Sequence, residues 1–307
     1  MTKIFIDGSA GTTGLRIYER LGERKDLELI ILDDAVRKDL SARKEAINAS
    51  DIAFLCLPDA AAIEAVSLIE NDHTAVIDTS TAHRTNETWA YGFPEISGNY
   101  DKIRTSKRIA NPGCHASGFI SLVAPLTENG LLKKDVVLSC TSLTGYSGGG
   151  KKMIAQYEDP DRDHLLDAPR AYGLTQVHKH LPEMKKVCGL DNAPVFVPIV
   201  ADFYSGMEVI VPLSGDMLNC KMDELKDFYR DYYKTGLVHF KDSADDDGLA
   251  SAAAFSMRDD MEITVTGNED RILLISRFDN LGKGASGAAI QNMNILLGID
   301  ETTGLNI

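Results

Sequence analysis

The sequence predicts an α/β fold in two parts: a doubly wound parallel sheet, then an α+β domain on a mixed or antiparallel sheet. Three observations carry this. The opening third alternates short, continuously apolar runs with helical patterns, as in strands covered on both faces. Beyond about residue 113 the strand-like runs become longer and closer together, with few helices between them. And 307 residues suffice for two domains at roughly 150 residues each.

In chain order, KIFID at 3–7 reads as a strand and 12–21 as a helix. LELIIL at 27–32, DIAFLCL at 51–57 and TAVIDTS at 74–80 are further strands, with Ala, Ile, Val and Leu at helical spacing over 59–70. Residues 117–128 read as a helix stopped by Gly130. Strands follow at 136–142, 195–201, 207–213, 261–267 and 271–278, with a helix at 223–233 among them. The tail, 285–297, is helical again and is expected to pack back on the first domain. The expected division is 1–113, completed by a C-terminal helical segment at 282–307, and 114–281.

Composition narrows the function. Lys and Arg number 32 and Asp and Glu 46, a formal charge of −14. A field of that sign repels phosphate backbones, so nucleic acid is excluded as a general partner. An anionic ligand must then be met by a few placed cations or backbone amides. No apolar run approaches the roughly 20 residues needed to span a bilayer, so no membrane is expected. The cysteines Cys56, Cys114, Cys140, Cys188 and Cys220 are odd in number and scattered, without a C-x-x-C pair. They argue for free thiols in the reducing cytoplasm and against a zinc ribbon. The acidic stretch 242–247 reads as a solvated loop.

Three segments have chemistry in them. Gly8, Ser9, Gly11, Thr12, Thr13 and Gly14 lie between the first strand and the helix it leads into. Glycines there permit a tight turn and a close approach to a pyrophosphate at a helix N-terminus, though a bare strand–helix turn also needs glycine. After the second strand come Asp33 and Asp34, suited to a ribose diol, and then Arg37 and Lys38, suited to a 2′-phosphate. In Asn111-Pro-Gly-Cys114-His-Ala-Ser a turn delivers a cysteine to a helix start, where the dipole favours its thiolate as a nucleophile. In His178-Lys-His180-Leu-Pro-Glu183 one histidine suits general acid/base work, and the i, i+2 spacing argues against a shared metal, so none is expected. Two cationic islands, Asp78 to Arg84 and the amide-rich loop Ser147, Gly148, Gly149, Gly150, Lys151 and Lys152, read either as phosphate cradles or as exposed turns.

Together G-S-A-G-T-T-G, D-T-S-T-A-H-R, Y-G-F-P-E (91–95), N-P-G-C-H-A-S, H-K-H-L-P-E and F-D-N-L-G-K-G-A-S-G-A-A-I-Q-N-M-N run in order from residue 8 to residue 294. This set resembles the N-acetyl-γ-glutamyl-phosphate reductases, in their shorter type 2 form. The resemblance implies that Cys114 attacks the acyl phosphate of N-acetylglutamyl 5-phosphate, expels phosphate and leaves a thioester. Hydride from NADPH then yields the semialdehyde, in arginine biosynthesis. It implies His178 as acid/base in preference to His180, which is left as a substrate-binding candidate beside Arg84 and Asn111. Asn280 is implied to orient the nicotinamide amide, with Ser147 and Gly148 nearby on the cofactor. A homodimer or homotetramer is implied as well. Asp33 and Asp34 depart from what an NADP enzyme would carry, unless Arg37 and Lys38 compensate.

Two other readings compete. One keeps the chemistry and changes the acyl group to aspartyl or aminoadipyl phosphate, a difference that few pocket residues decide. The other is a non-catalytic dinucleotide-binding redox sensor in which Cys114 is merely oxidisable.

Overall fold

The computed structural model describes residues 1–244 and 247–307. They form two compact units, Met1–Pro94 with Gly98–Gly113 and Ala285–Leu305, and Glu95–Ser97 with Cys114–Gly284 and Asn306–Ile307.

The first unit begins β1 (Thr2–Asp7), α1 (Thr12–Gly22), β2 (Leu27–Ile30), α2 (Leu40–Ala49), β3 (Ile52–Leu55) and α3 (Asp59–Ser67). It continues with β4 (Ala75–Asp78), β5 (Ala90–Tyr91), α4 (Asn99–Thr105) and β6 (Arg108–Ala110). All six strands are parallel, in the order β2-β1-β3-β4-β6-β5. Alternation along β1 sorts the core. Ile4 and Ile6 join Phe54, Ile77 and the α1 residues Ile17 and Leu21. Phe5 points the other way, into Ala53, Val76, Ile47 of α2 and Ala62 and Ala65 of α3. Full burial of each of the Ile, Leu, Val and Phe side chains stabilises the fold by about 1.5–3 kcal/mol, and of each alanine by less. Both sheet faces are covered, so the strands have no polar face to show. The chain order reverses at β1, which opens a crevice at the carboxyl ends of β1 and β3.

The second unit holds α5 (Cys114–Glu128), β7 (Ser139–Gly145), α6 (Gly150–Glu158), β8 (Arg170–Ala171), α7 (Leu181–Val187) and β9 (Val195–Ala201). Next come β10 (Met207–Ser214), α8 (Met222–Tyr232), β11 (Val238–Phe240), β12 (Met261–Asn268) and β13 (Arg271–Phe278). Its sheet, β11-β12-β13-β10-β7-β9-β8, is mixed: β11–β12 and β7–β9 pair in parallel and the other neighbours antiparallel. α5 packs tightly on it. A β-carbon on Gly118 would stand 2.4 Å from Cγ2 of Val209 on β10 and 2.8 Å from the Phe278 ring on β13. The last helix, α9 (Gly287–Leu297), belongs to the first unit, where Ala289, Ile290 and Met293 join the cluster around Ile4.

Several elements depart from the sequence reading. α5 begins at Cys114, three residues earlier than the periodicity suggests, and β7 begins at Ser139, with Val137 exposed ahead of it. The segment expected as a loop at 147–152 is helical: a 3-10 turn over Tyr146–Gly149 runs into α6. Glycine is a poor helix former, but a β-carbon on Gly149 would stand 2.6 Å from Cβ of Met153, so the close packing there needs a residue without a side chain. In the acidic stretch, Asp242 pairs with Arg230 of α8 at 2.6 Å, and Asp245 and Asp246 lie outside the described residues.

Candidate active site

In the second unit, Cys114 is the first residue of α5 and is half-buried. Fifteen residues of helix point their dipole at it, and a thiolate is favoured there. The next residue, His115, is buried and bonded on both ring nitrogens: Nδ1 to Oγ of Ser142 at 2.7 Å and Nε2 to the Tyr172 hydroxyl at 2.6 Å. Its ring centroid lies 5.7 Å from that of His178, 5.6 Å from His180 and 5.3 Å from Phe196. The three imidazoles therefore meet one another, and His115 and His178 also pack on the Phe196 ring. Among the described residues, no group of His, Cys, Asp and Glu side chains is arranged to hold a metal ion.

The sheet edge builds this cluster. β8 pairs with β9, and the Tyr172 amide extends the pairing by donating to the Pro198 carbonyl at 3.0 Å. The chain then turns at Gly173, whose φ of +61° is in the left-handed region. Gln176 clamps the turn to β9 with its side chain, donating to the Phe196 carbonyl at 2.7 Å and accepting from the Phe196 amide at 2.9 Å. Gln176 itself has φ +57°, unusual outside glycine, and the clamp holds it there. The turn ends with the His180 amide donating to Nδ1 of His178 at 3.2 Å, just before α7.

Burial, then the charges of His178 and Lys179, push the His115 imidazole down to about 3. Burial first and Lys179 second also lower His178 below the ordinary histidine value. Both rings are neutral near pH 7. The Tyr172 phenol is raised, first by burial and then by the negative charge of Cys114.

Asn280, Ser147 and Gly148 come together elsewhere in this unit. Asn280 Nδ2 donates to Oγ of Ser147 at 3.0 Å, and its Oδ1 accepts from the Gly206 amide at 2.9 Å. A β-carbon on Gly148 would stand 3.3 Å from that Nδ2. A buried ion pair, Lys283 Nζ to Glu95 Oε1 at 2.6 Å, escaped sequence reasoning. Its only trace in sequence is a charge set among apolar and glycine residues in Y-G-F-P-E and G-K-G.

In the first unit the glycine loop follows β1. Gly8 has φ +88°, and a β-carbon on it would stand 2.3 Å from the Cys56 carbonyl oxygen; one on Gly14 would stand 2.4 Å from that of Gly8. Gly11 begins α1 without a side-chain cap. The loop borders a cavity of about 300 Å³ lined also by Leu32, Arg37 and Lys38. Asp33 and Asp34 lie outside that lining, and Asp34 instead reaches Arg37 at 3.3 Å. A glycine-rich backbone loop with only small side chains, beside two cations, fits a phosphorylated dinucleotide. Arg84 and Asn111 are brought together by backbone: Arg84 Nε donates to the Asn111 carbonyl at 2.9 Å and Nη2 to that of Thr79 at 2.8 Å. The Asn111 side chain bonds the Ala285 carbonyl and Asn292, both at 3.1 Å. No helix among the described residues is long and apolar enough to cross a membrane.

Residues 9–106 match the family described as semialdehyde dehydrogenase, NAD binding domain, and 114–280 match semialdehyde dehydrogenase, dimerisation domain. The chain is 46% identical to the N-acetyl-gamma-glutamyl-phosphate reductase of Chelativorans sp., covering 96% of this chain and 98% of that one. It is 41% identical to N-acetyl-gamma-glutamyl-phosphate reductase 2 of Nostoc sp., over 99% of both. Among solved structures, aspartate semialdehyde dehydrogenase II of Vibrio cholerae, complexed with ASA, superimposes with a TM-score of 0.71 at 15% identity, covering 97% of this chain and 98% of that one. The aspartate semialdehyde dehydrogenase of Candida albicans, with NADP, gives 0.68 at 14%, over 97% and 99%. These two likenesses concern the fold alone.

Proposed function

The chain belongs to the N-acetyl-γ-glutamyl-phosphate reductase family, and we propose that it reduces N-acetyl-L-glutamyl 5-phosphate to N-acetyl-L-glutamate 5-semialdehyde with NADPH, in arginine biosynthesis. The observation that supports this most is Cys114 at the start of the buried helix α5, next to the neutral pair His115 and His178.

In this reading the Cys114 thiolate attacks the acyl carbon. A C–S bond forms, the acyl C–O bond breaks, and inorganic phosphate leaves. NADPH, when bound, supplies the hydride that reduces the resulting thioester. His178 accepts the His180 amide at Nδ1, which leaves its proton on Nε2. That N–H is a donor for the oxyanion of the tetrahedral species. His178 shares the proton with the oxyanion and takes it fully back as the C–S bond breaks and the aldehyde carbonyl forms. The cysteine returns to its thiolate, so the cycle closes.

Arg84, Asn111 and His180 are our candidates for the anionic ends of the substrate. Gly8, Ser9, Gly11, Thr12, Thr13 and Gly14 would hold the pyrophosphate, Arg37 the 2′-phosphate, and Ser147, Gly148 and Asn280 the nicotinamide end. We take the first unit with α9 as the cofactor domain and the segment from Cys114 as the catalytic one. Exposed Val195, Val197 and Leu273 on the second sheet favour a homodimer or homotetramer formed through that face, to be read by light scattering. Five free cysteines favour the cytoplasm.

The test runs the reaction backwards, with N-acetylglutamate semialdehyde, phosphate and NADP, following absorbance of the reduced cofactor. Phosphate-dependent reduction in the wild type, abolished in Cys114→Ser, is expected. No turnover in a folded protein that binds NADP would reject the assignment, and aspartate semialdehyde would be tried next.

A further inference from the structure

The cluster contains a histidine that the chemistry above does not use. His115 follows the nucleophile in sequence, is 3% exposed, and spans two hydroxyls, Ser142 on β7 and Tyr172 beyond β8. A neutral imidazole has one N–H and one lone pair, so it passes a fixed direction from one hydroxyl to the other. If Nε2 holds the proton, Ser142 donates to Nδ1, Nε2–H donates to the Tyr172 oxygen, and the phenol O–H is left to donate elsewhere. The opposite tautomer would tie up the phenol proton on the ring.

We propose that His115 is a positioning residue, a neutral Nε2–H imidazole that turns the Tyr172 hydroxyl outward as a hydrogen-bond donor to the sulfur of Cys114 and to the acyl group it carries. The inference rests on the thioester reading. The Tyr172 hydroxyl is hydrogen-bonded to the residue that directly follows Cys114, and the negative charge of Cys114 adds to burial in raising its phenol. Ser142 is completely buried and His115 is the side-chain partner the structure gives its hydroxyl, which in the Nε2–H tautomer donates to Nδ1 from the far side of the ring. Tyr172 is held from the other side too, by its amide on Pro198. His115 therefore needs no proton exchange of its own. Its work is to fix which way one O–H points.

Glutamine reproduces the Nε2–H of histidine and asparagine reproduces the Nδ1 side, so the two substitutions separate the halves of the relay. His115→Gln should keep kcat within about threefold, whereas His115→Asn should lower it by about 10- to 100-fold, with KM for NADP and the melting temperature alike in both. Tyr172→Phe should match His115→Asn, and the double variant should lose no more than either alone. Equal loss in Gln and Asn, or a multiplicative loss in the double variant, overturns the proposal. Should His115→Asn fail to fold, nitrogen-15 NMR of the wild-type imidazoles decides it: a protonated Nε2 on His115 is expected, and a protonated Nδ1 overturns it. Cys114→Ser, assayed in parallel, tests the underlying reading separately, since retained activity there would remove the thioester whatever His115 does.

Discussion

A β-carbon built on Gly284 would stand 2.9 Å from Cβ of Cys114, closer than packed carbons come. It would also lie 3.1 Å from the Asp279 carbonyl and 3.2 Å from the Phe278 ring, so it has nowhere to go. The glycine belongs to a single π-helical turn, Gly282–Ser286, a distortion that costs regular hydrogen bonding and recurs at functional sites. The backbone thus forms one wall around Cys114.

Gly284→Ala should therefore injure chemistry more than binding. The alanine methyl must push either the π-turn or the first turn of α5, and displacement by under an ångström is enough to misalign a nucleophile. We expect kcat to fall about 10- to 100-fold while the Kd for NADP, read by fluorescence quenching, stays within twofold. A normal kcat would mean that the wall is more compliant than its contacts imply.

The rate and the stability should both show the suppressed basicity of the histidines. His178 is lowered by burial and Lys179, so the acid limb of kcat/KM should fall below pH 6.5 and move upward in Lys179→Ala. For stability, the folded His115 titrates at about 3 against 6.5 when unfolded. The unfolded chain binds the extra proton first, so the contribution is complete above pH 6.5 and is lost as pH falls from 6.5 toward 3. The slope is about 1.4 kcal/mol per pH unit for one proton. Urea midpoints across that range should flatten in His115→Gln by this amount.

Cofactor choice should follow the cavity lining. Arg37 and Lys38 border it, and Asp34 engages Arg37 at its exposed edge. The double variant Arg37→Ala/Lys38→Ala should raise KM for NADP about 10- to 100-fold, the cost of one or two charge-assisted hydrogen bonds, and leave NAD almost unaffected. A parallel loss with both cofactors would mean that the two cations serve the fold and not the extra phosphate.

Pro125 lies inside α5 and has no N–H to offer the Ser121 carbonyl. The Tyr233 hydroxyl supplies the missing donor at 2.7 Å, and the neighbouring Tyr229 hydroxyl bonds the Leu122 carbonyl. Tyr233→Phe leaves a buried carbonyl without that donor, and unfolding in urea should show a loss of about 1–3 kcal/mol. Proline is tolerated in this helix because a tyrosine from another segment completes it.

The first sheet was legible in sequence because its strands are buried on both faces, and a continuous apolar run such as IAFL needs no partner to be recognised. The glycine loop and the start of α5 were legible for a similar reason: turn chemistry is local, and Gly8, Gly14 and Gly113-Cys114 state it within a few residues. What sequence order could not convey was distance between remote segments. His115 meets Tyr172 because β8 adds to the edge of β9, and Met153 packs where a side chain at Gly149 would stand. Buried Lys283 is paired with Glu95, 188 positions away. Periodicity and turn propensity act within a few residues, whereas desolvation and hydrogen-bond satisfaction act through space. Local patterning thus marks most of the first sheet and the cysteine at the head of α5, whereas which buried polar groups face one another follows from packing in three dimensions.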